Sequence, residues 1–275
     1  MAVRSTGSGR PVVLLHSSAS SSAQWRDAMI DMASAYRVFA PDFPGYGKSA
    51  GWSGTAPRTL ATDCEVVSSI SEDCREPIHL VGHSYGGAVA LWYAMRYPQT
   101  VKSLTLIEPV AFNVLRFGAR GRRFLFDEVE DVATTVVTAL SRGDHFAGMA
   151  HFIDYWNGRG TWDLLPRERQ ELLATQIENI AQEFSAVFDD PRSTAAYEDL
   201  QVPTLIIRGD QSRVPAMSVA ASLARAIPAA VLHTIEGAGH MLPLTHKSLV
   251  QTAISHHINR HAHSAVSVPA LPHAA

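Results

Sequence analysis

Ile78-His79-Leu80-Val81-Gly82-His83-Ser84-Tyr85-Gly86-Gly87-Ala88-Val89 is the stretch whose reading decides the fold. Ile78, Leu80 and Val81 read as a buried strand, Gly82 stops it, and a helical pattern follows the small residues, so the turn carries Ser84. Glycines on both sides answer a crowding problem, because backbones crossing at a sharp strand-to-helix turn leave little room for Cβ atoms. A serine held there projects its hydroxyl beyond the sheet, while the amide of Tyr85 in the first helical turn is free to stabilise an oxyanion. The G-x-S-x-G spacing gains its meaning from this strand–turn–helix setting.

Composition narrows the function classes. The 275 residues allow one α/β domain with an insertion. A net charge of −3, with both signs scattered and no basic stripe beside exposed aromatics, argues against nucleic acid or an anionic membrane surface as partner. A small-molecule substrate is expected instead. The start, Met1 to Gly7, lacks the apolar core of a signal peptide, and no membrane-length apolar run occurs, so a cytoplasmic address is expected. Cys64 and Cys74 fall ten residues apart in one expected helix, too distant for a bridge, and read as reduced structural thiols.

Outward from the central stretch, strands alternate with helices. Pro11–His16 reads as a buried strand, with room before it for one short hairpin partner. The run of small residues from Ser17 to Ala23 suits backbone amides facing a cavity; its competing reading is a turn ending in a helix N-cap at Ser21 or Ser22. A helix from Trp25 to Ala35, a strand over Tyr36–Ala40, a turn-rich Asp42–Ser49 loop and a helix from Thr59 to Cys74 lead to the central strand. Asp42 is expected to hydrogen-bond its own loop. After the helix that ends at Pro98 comes a strand over Ser103–Ile107, closed by Glu108 and Pro109.

From Ala111 to Glu198 the pattern is helical only, with Phe124, Phe126, Val129 and Val132, then Leu172, Ile177, Ile180 and Phe184, at helical spacing. Alternation resumes with a strand at 203–208, a helix at 216–227, a strand at 231–235, the loop Glu236-Gly237-Ala238-Gly239-His240 and a closing helix from His246 to Arg260. The expected architecture is α/β, a mostly parallel sheet flanked by helices, with residues 1–112 and 197–261 as core and 113–196 as a helical cap. Residues 262–275, rich in Ala, Pro, Ser and His, are expected to be disordered. In parallel sheets ligands gather at the carboxyl ends of strands, and His16, Ser17, Ser18, Ser84, Glu108, Asp210 and His240 all fall there. Other histidines are discounted: His83 points away from a pocket that Ser84 faces, and His256, His257, His261 and His263 read as a solvated helix with no metal site.

Taken together, the strand-ending His16 with its small-residue loop, Trp25, the Asp42-Phe43-Pro44-Gly45-Tyr46-Gly47-Lys48-Ser49 loop, the Gly82–Gly86 elbow and the late Gly237–His240 resemble the serine hydrolases of the α/β-hydrolase superfamily, over nearly the whole chain. The resemblance implies Ser84 as nucleophile, His240 as base, and the amides of Tyr85 and Ser18 as oxyanion hole. Ser17 stands where relatives usually have glycine and is a second candidate donor. Relatives usually carry the triad acid a few residues past the glycine that ends the penultimate strand, a slot that here holds Ser212. Glu108, 24 residues beyond Ser84, is the favoured acid and Asp210 the alternative. Trp25, Trp156 and Phe152 are expected to line the substrate pocket, although Phe152 and Trp156 equally suit a cap core. The implied activity is cleavage of a small ester or related carbonyl compound through an acyl-serine, with no cofactor. Carbon–carbon bond hydrolysis, perhydrolase chemistry and a non-enzymatic ligand sensor are the alternatives. Halide displacement and epoxide opening are disfavoured, because relatives doing those carry aspartate where this chain has Ser84.

Overall fold

The computed structural model describes residues 1–54, 56–117 and 123–262. Val3–Thr6 (β1), Arg10–Leu15 (β2) and Tyr36–Pro41 (β3) open the chain, with Arg26–Met32 (α1) between the last two. Then follow Leu60–Asp73 (α2), Ile78–His83 (β4), Tyr85–Arg96 (α3) and Val101–Ile107 (β5). The sheet has the order β1-β3-β2-β4-β5, continued by Thr204–Gly209 (β6) and Ala230–Ile235 (β7). All its pairings are parallel except that of β1 with β3. β1 is therefore no hairpin partner of β2: β3 and β4 occupy both edges of β2, and β1 covers the outer edge of β3. Every residue of β4 is buried, as expected of a central parallel strand covered on both faces.

Between β5 and β6 the described residues form the α-helices Asn113–Arg116 (α4), Arg123–Ser141 (α5), His145–Asn157 (α6), Arg167–Ala174 (α7) and Ile177–Phe188 (α8). Their buried faces meet through Phe126, Val129, Met149, Phe152, Ile180 and Phe184. Two residues placed on those faces by spacing lie outside them: Phe124 and Leu172 are exposed. For Leu172 the reason is a break, since α7 ends at Ala174 and α8 starts anew at Ile177, leaving Leu173 as the buried leucine. Val214–Ala226 (α9), Leu242–Thr245 (α10) and Lys247–His261 (α11) complete the chain. Ala262, first residue of the expected disordered tail, is buried where it ends α11; the rest of that tail, with His263, lies outside the described residues.

Cys64 and Cys74 are buried free thiols. Among the described residues no helix is long and apolar enough to cross a membrane.

Besides His240, four imidazoles are buried in this framework. His16 closes the end of β2, His79 and His83 lie within β4, and His257 tucks from α11 against the Pro203 carbonyl, 3.2 Å away. The expected fully solvated helix face is thus corrected at His257. Burial, the largest influence on each, lowers His16 and His257 to about 4 and His79 and His83 to about 3, from an ordinary value of 6.5. The unfolded chain then binds more protons than the native one below pH 6.5. Stability is complete above that pH and is lost as pH falls toward 4, by about 1.4 kcal/mol per pH unit for each such group. Urea unfolding is therefore expected to show a markedly lower midpoint at pH 5.5 than at pH 7.5; equal midpoints would contradict the burial of neutral imidazoles.

Candidate active site

Ser84 joins β4 to α3 with φ 56° and ψ −115°, a backbone conformation L-residues rarely adopt. It is held there from both directions: its N–H donates to the Ile107 carbonyl (2.9 Å), extending the ladder to β5, and its carbonyl accepts from Ala88 N–H (3.1 Å). The crowding inferred from the glycines is real. A Cβ on Gly82 would stand 2.2 Å from the Gly86 carbonyl oxygen, and one on Gly86 would stand 2.5 Å from that of His16. Among the described residues the non-glycine residues with positive φ are Ala19, Ser84 and Glu108, all at strand exits of one end of the sheet. Strain concentrates where side chains must be aimed.

The structure brings three of the sequence candidates together. Ser84 Oγ lies 2.9 Å from His240 Nε2, and His240 Nδ1 lies 3.2 Å from Glu108 Oε2, although 156 residues separate the serine from the histidine. Glu108 Oε1 accepts from Gly209 N–H (2.9 Å), so one oxygen anchors the carboxylate to β6 and the other meets the imidazole. All three side chains are buried, and the Trp156 ring stacks on that of His240 with centroids 4.2 Å apart. Asp210 is not part of this chain. Its exposed carboxylate accepts from Gly237 N–H (2.7 Å) and braces the loop after β7. Arg208 and Arg213, which flank Asp210 in sequence, turn to Thr234 and Met217 and to the Tyr155 carbonyl respectively.

The loop after β2 is equally determined. His16 Nε2 accepts from Phe43 N–H (3.1 Å), which leaves Nδ1 to donate to the Ser17 carbonyl (2.8 Å). Asp42 accepts from the amides of Ser22 and Lys48, the structural role expected of it. Ser21 caps the short turn Ser22–Trp25, so the serine run contains the N-cap as well as a cavity wall. The Ser17 amide and hydroxyl both donate to Gln24 Oε1 (3.2 and 3.0 Å). Ser17 N–H is thereby engaged, which removes it as a second oxyanion donor. Gln24 Nε2 donates to His83 Nδ1 (3.1 Å), and His83 Nε2 donates to the His240 carbonyl (2.9 Å). Gln24 was no candidate in the sequence, since nothing in its spacing signals a link to His83.

Two cavities meet at Ser84. The smaller, about 20 Å³, is walled by Ser18, Tyr85, Phe112, Glu183 and Phe184; the larger, about 210 Å³, by Ser18, Leu165, Arg169, Leu173, His240 and Leu244. Phe152 and Trp156 face both. Trp25 faces neither: it packs beneath the loop among Val12, Leu14, Met29 and Leu242, because the turn at Ser22–Trp25 directs its ring into the apolar layer under α11. Glu183 was also missed. Its signal was available, as an acid between Ile180, Phe184 and Val187 lies on the apolar face of its helix.

Residues 10–247 match the alpha/beta hydrolase fold family, and the chain belongs to it. It is 27% identical over 255 residues to a 2-hydroxy-6-oxononadienedioate/2-hydroxy-6-oxononatrienedioate hydrolase of Cupriavidus pinatubonensis, covering 88% of this chain and 84% of that one. A shorter match, 38% identical over 109 residues, links it to abhydrolase domain-containing protein abhd-5.2 of Caenorhabditis elegans, covering 38% of this chain and 24% of that protein. An esterase from Thermogutta terrifontis superposes with a TM-score of 0.75 at 23% identity, over 94% and 93% of the two chains.

Gly86→Ala tests the elbow itself. Its new Cβ meets strand backbone rather than a side chain that could turn aside, so the urea midpoint is expected to fall by the equivalent of about 2–3 kcal/mol. An unchanged midpoint would show that the elbow has slack.

Proposed function

We propose that the protein is a serine hydrolase that cleaves a small ester or related carbonyl compound through an acyl-serine intermediate. The observation that carries this reading is the continuous chain from Ser84 Oγ through His240 to Glu108, at 2.9 and 3.2 Å. A serine hydroxyl is a weak nucleophile near neutral pH and needs a base in contact. With Glu108 accepting from His240 Nδ1–H, Nε2 is left to accept the Ser84 proton. Ser84 Oγ adds to the carbonyl carbon, and the oxyanion rests on the amides of Tyr85 and Ser18. As the tetrahedral adduct collapses, His240 returns the proton to the departing alkoxide. Water then gives its proton to His240 and adds to the acyl-serine; release of the acid restores the Ser84 hydroxyl.

The two cavities support an orientation. His240 must reach the leaving group, so the alcohol occupies the larger cavity, which it walls, and the acyl part enters the smaller. Room of about 20 Å³ beside Ser84 suits a short acyl chain.

A second reading, carbon–carbon bond hydrolysis, is favoured by the full-length relative named above. A 2-hydroxy-6-oxo-dienedioate has no ester, so its hydrolysis must cut a bond beside the ketone. Arg169 is the one Arg or Lys among the described residues walling the two cavities, enough for one carboxylate but not for the two of a dioate, and the ester reading is preferred over that substrate on this ground.

Ser84→Ala is expected to abolish turnover of phenyl acetate without lowering the unfolding midpoint; retention of most activity would refute the mechanism. Glu108→Gln should lower kcat by about 10³-fold or more while Asp210→Asn stays within a few fold, and the reverse would move the acid to β6. Phenyl acetate should be turned over faster than phenyl octanoate, and both faster than a vinylogous 1,5-diketone. A clear preference for the diketone would select the carbon–carbon reading.

A further inference from the structure

Beneath the smaller cavity lies a buried charge cluster with one acid too many. Arg58 Nε binds both oxygens of Asp63 (3.0 and 2.9 Å), and Asp63 Oδ2 also accepts from the Tyr85 hydroxyl (2.5 Å). Asp63 is thus saturated and neutralises Arg58. Glu183, on α8 of the cap, is a further carboxyl 3.5 Å from Arg58 Nη2, its side chain only 3% exposed. The hydroxyls of Ser18 and Tyr46 face it, yet neither carboxyl oxygen closes a hydrogen bond of normal geometry with the described residues. Burial raises this carboxyl to about 7, with Arg58 drawing it down. An enclosed carboxyl with open acceptor sites costs stability unless something donates to it. What it borders is the narrow space beside Ser84, which suits a short acyl group.

We propose that Glu183 determines specificity by accepting a hydrogen bond from a hydroxyl on the acyl part of the substrate, which makes 2-hydroxyacyl compounds the preferred class. This assignment rests on the acyl-serine reading for the orientation of the substrate, because the cavity holding Glu183 is the one that His240 does not wall. The small space limits the donor to the carbon next to the carbonyl. A neutral hydroxyl is favoured over an ammonium because bringing a charged group out of water into so small and buried a space costs far more than bringing in a hydroxyl. A site built to meet a hydroxyl also rejects the analogue that lacks it, since the buried acceptor is then left without a partner.

The test separates binding from turnover. Binding of lactamide, propanamide and alaninamide is measured on Ser84→Ala protein by ligand-observed NMR. Lactamide should bind about tenfold tighter than propanamide, a preference that Glu183→Leu in the same background removes and Glu183→Gln, which keeps a carbonyl acceptor, largely retains. Arg58 keeps Asp63 as partner in both variants, and a thermal melt of each reports folding. Equal affinities for lactamide and propanamide with Glu183 intact would mean that the carboxyl holds only a water, and tighter binding of alaninamide would assign a cationic donor; either overturns the proposal. On protein with Ser84 intact, the kcat/KM ratio of ethyl lactate to ethyl propanoate should follow the same pattern. Failure of the hydrolase reading is distinguishable, for it would abolish turnover of both esters while leaving the Glu183-dependent amide preference in place.

Discussion

Everything at this end of the sheet depends on one backbone position. Ser84 occupies a conformation that a non-glycine residue enters at a cost of order 1–3 kcal/mol, and a lone turn would relax out of it. It persists because its amide continues the β4–β5 ladder while its carbonyl starts α3, so relaxation would break either strand pairing or the first helical turn. Glu108 shares the device, with φ 47° and its amide bound to the Ile207 carbonyl. Two neighbouring parallel strands thus end in the same kind of strained exit. Their side chains are aimed by sheet register rather than by loop conformation, which is why the arrangement tolerates a histidine arriving from a loop.

That histidine is fixed by polar contacts that sequence periodicity does not encode. Gln24 draws together the Ser17 amide and His83, and His83 holds the His240 carbonyl, so the loop after β2 and the loop after β7 are tied through the central strand. His83 serves as a neutral bridge, donor at one nitrogen and acceptor at the other. Its burial, which holds it at about 3, keeps it so across the pH range in which the protein is stable. A charged imidazole there could not accept from Gln24, and the two loops would separate.

The fold and the central three residues were legible because each rests on local rules: the apolar run broken by Gly82, the glycines about Ser84, and acidic or imidazole residues at strand ends. Glu108 and Asp210 were distinguishable only in part. Both follow strands, and what separates them is that Glu108 sits at the more central strand with its side chain turned to Gly209, whereas Asp210 faces the Gly237 turn. Such directions depend on twist and register, which a linear pattern does not contain. Trp25 was misplaced for a similar reason. An indole beside a cavity-forming loop can turn toward the cavity or beneath it, and the turn at Ser22–Trp25 sends it beneath.

The helices between β5 and β6 make contacts that the sheet and its other helices do not supply. Trp156 of α6 stacks on the His240 ring, Glu183 of α8 approaches Arg58, and Asn179 of α8 donates to the Gly45 carbonyl in the loop that Asp42 organises. A shift of α6 would uncover the imidazole to water, while a shift of α8 would expose the Arg58 cluster that anchors the Tyr85 hydroxyl. Rearranging these helices therefore carries electrostatic consequences at both cavities together. The same contacts that shape the space beside Ser84 also set the dielectric around its hydroxyl and the His240 ring, so moving these helices and changing the electrostatics at Ser84 are one physical operation.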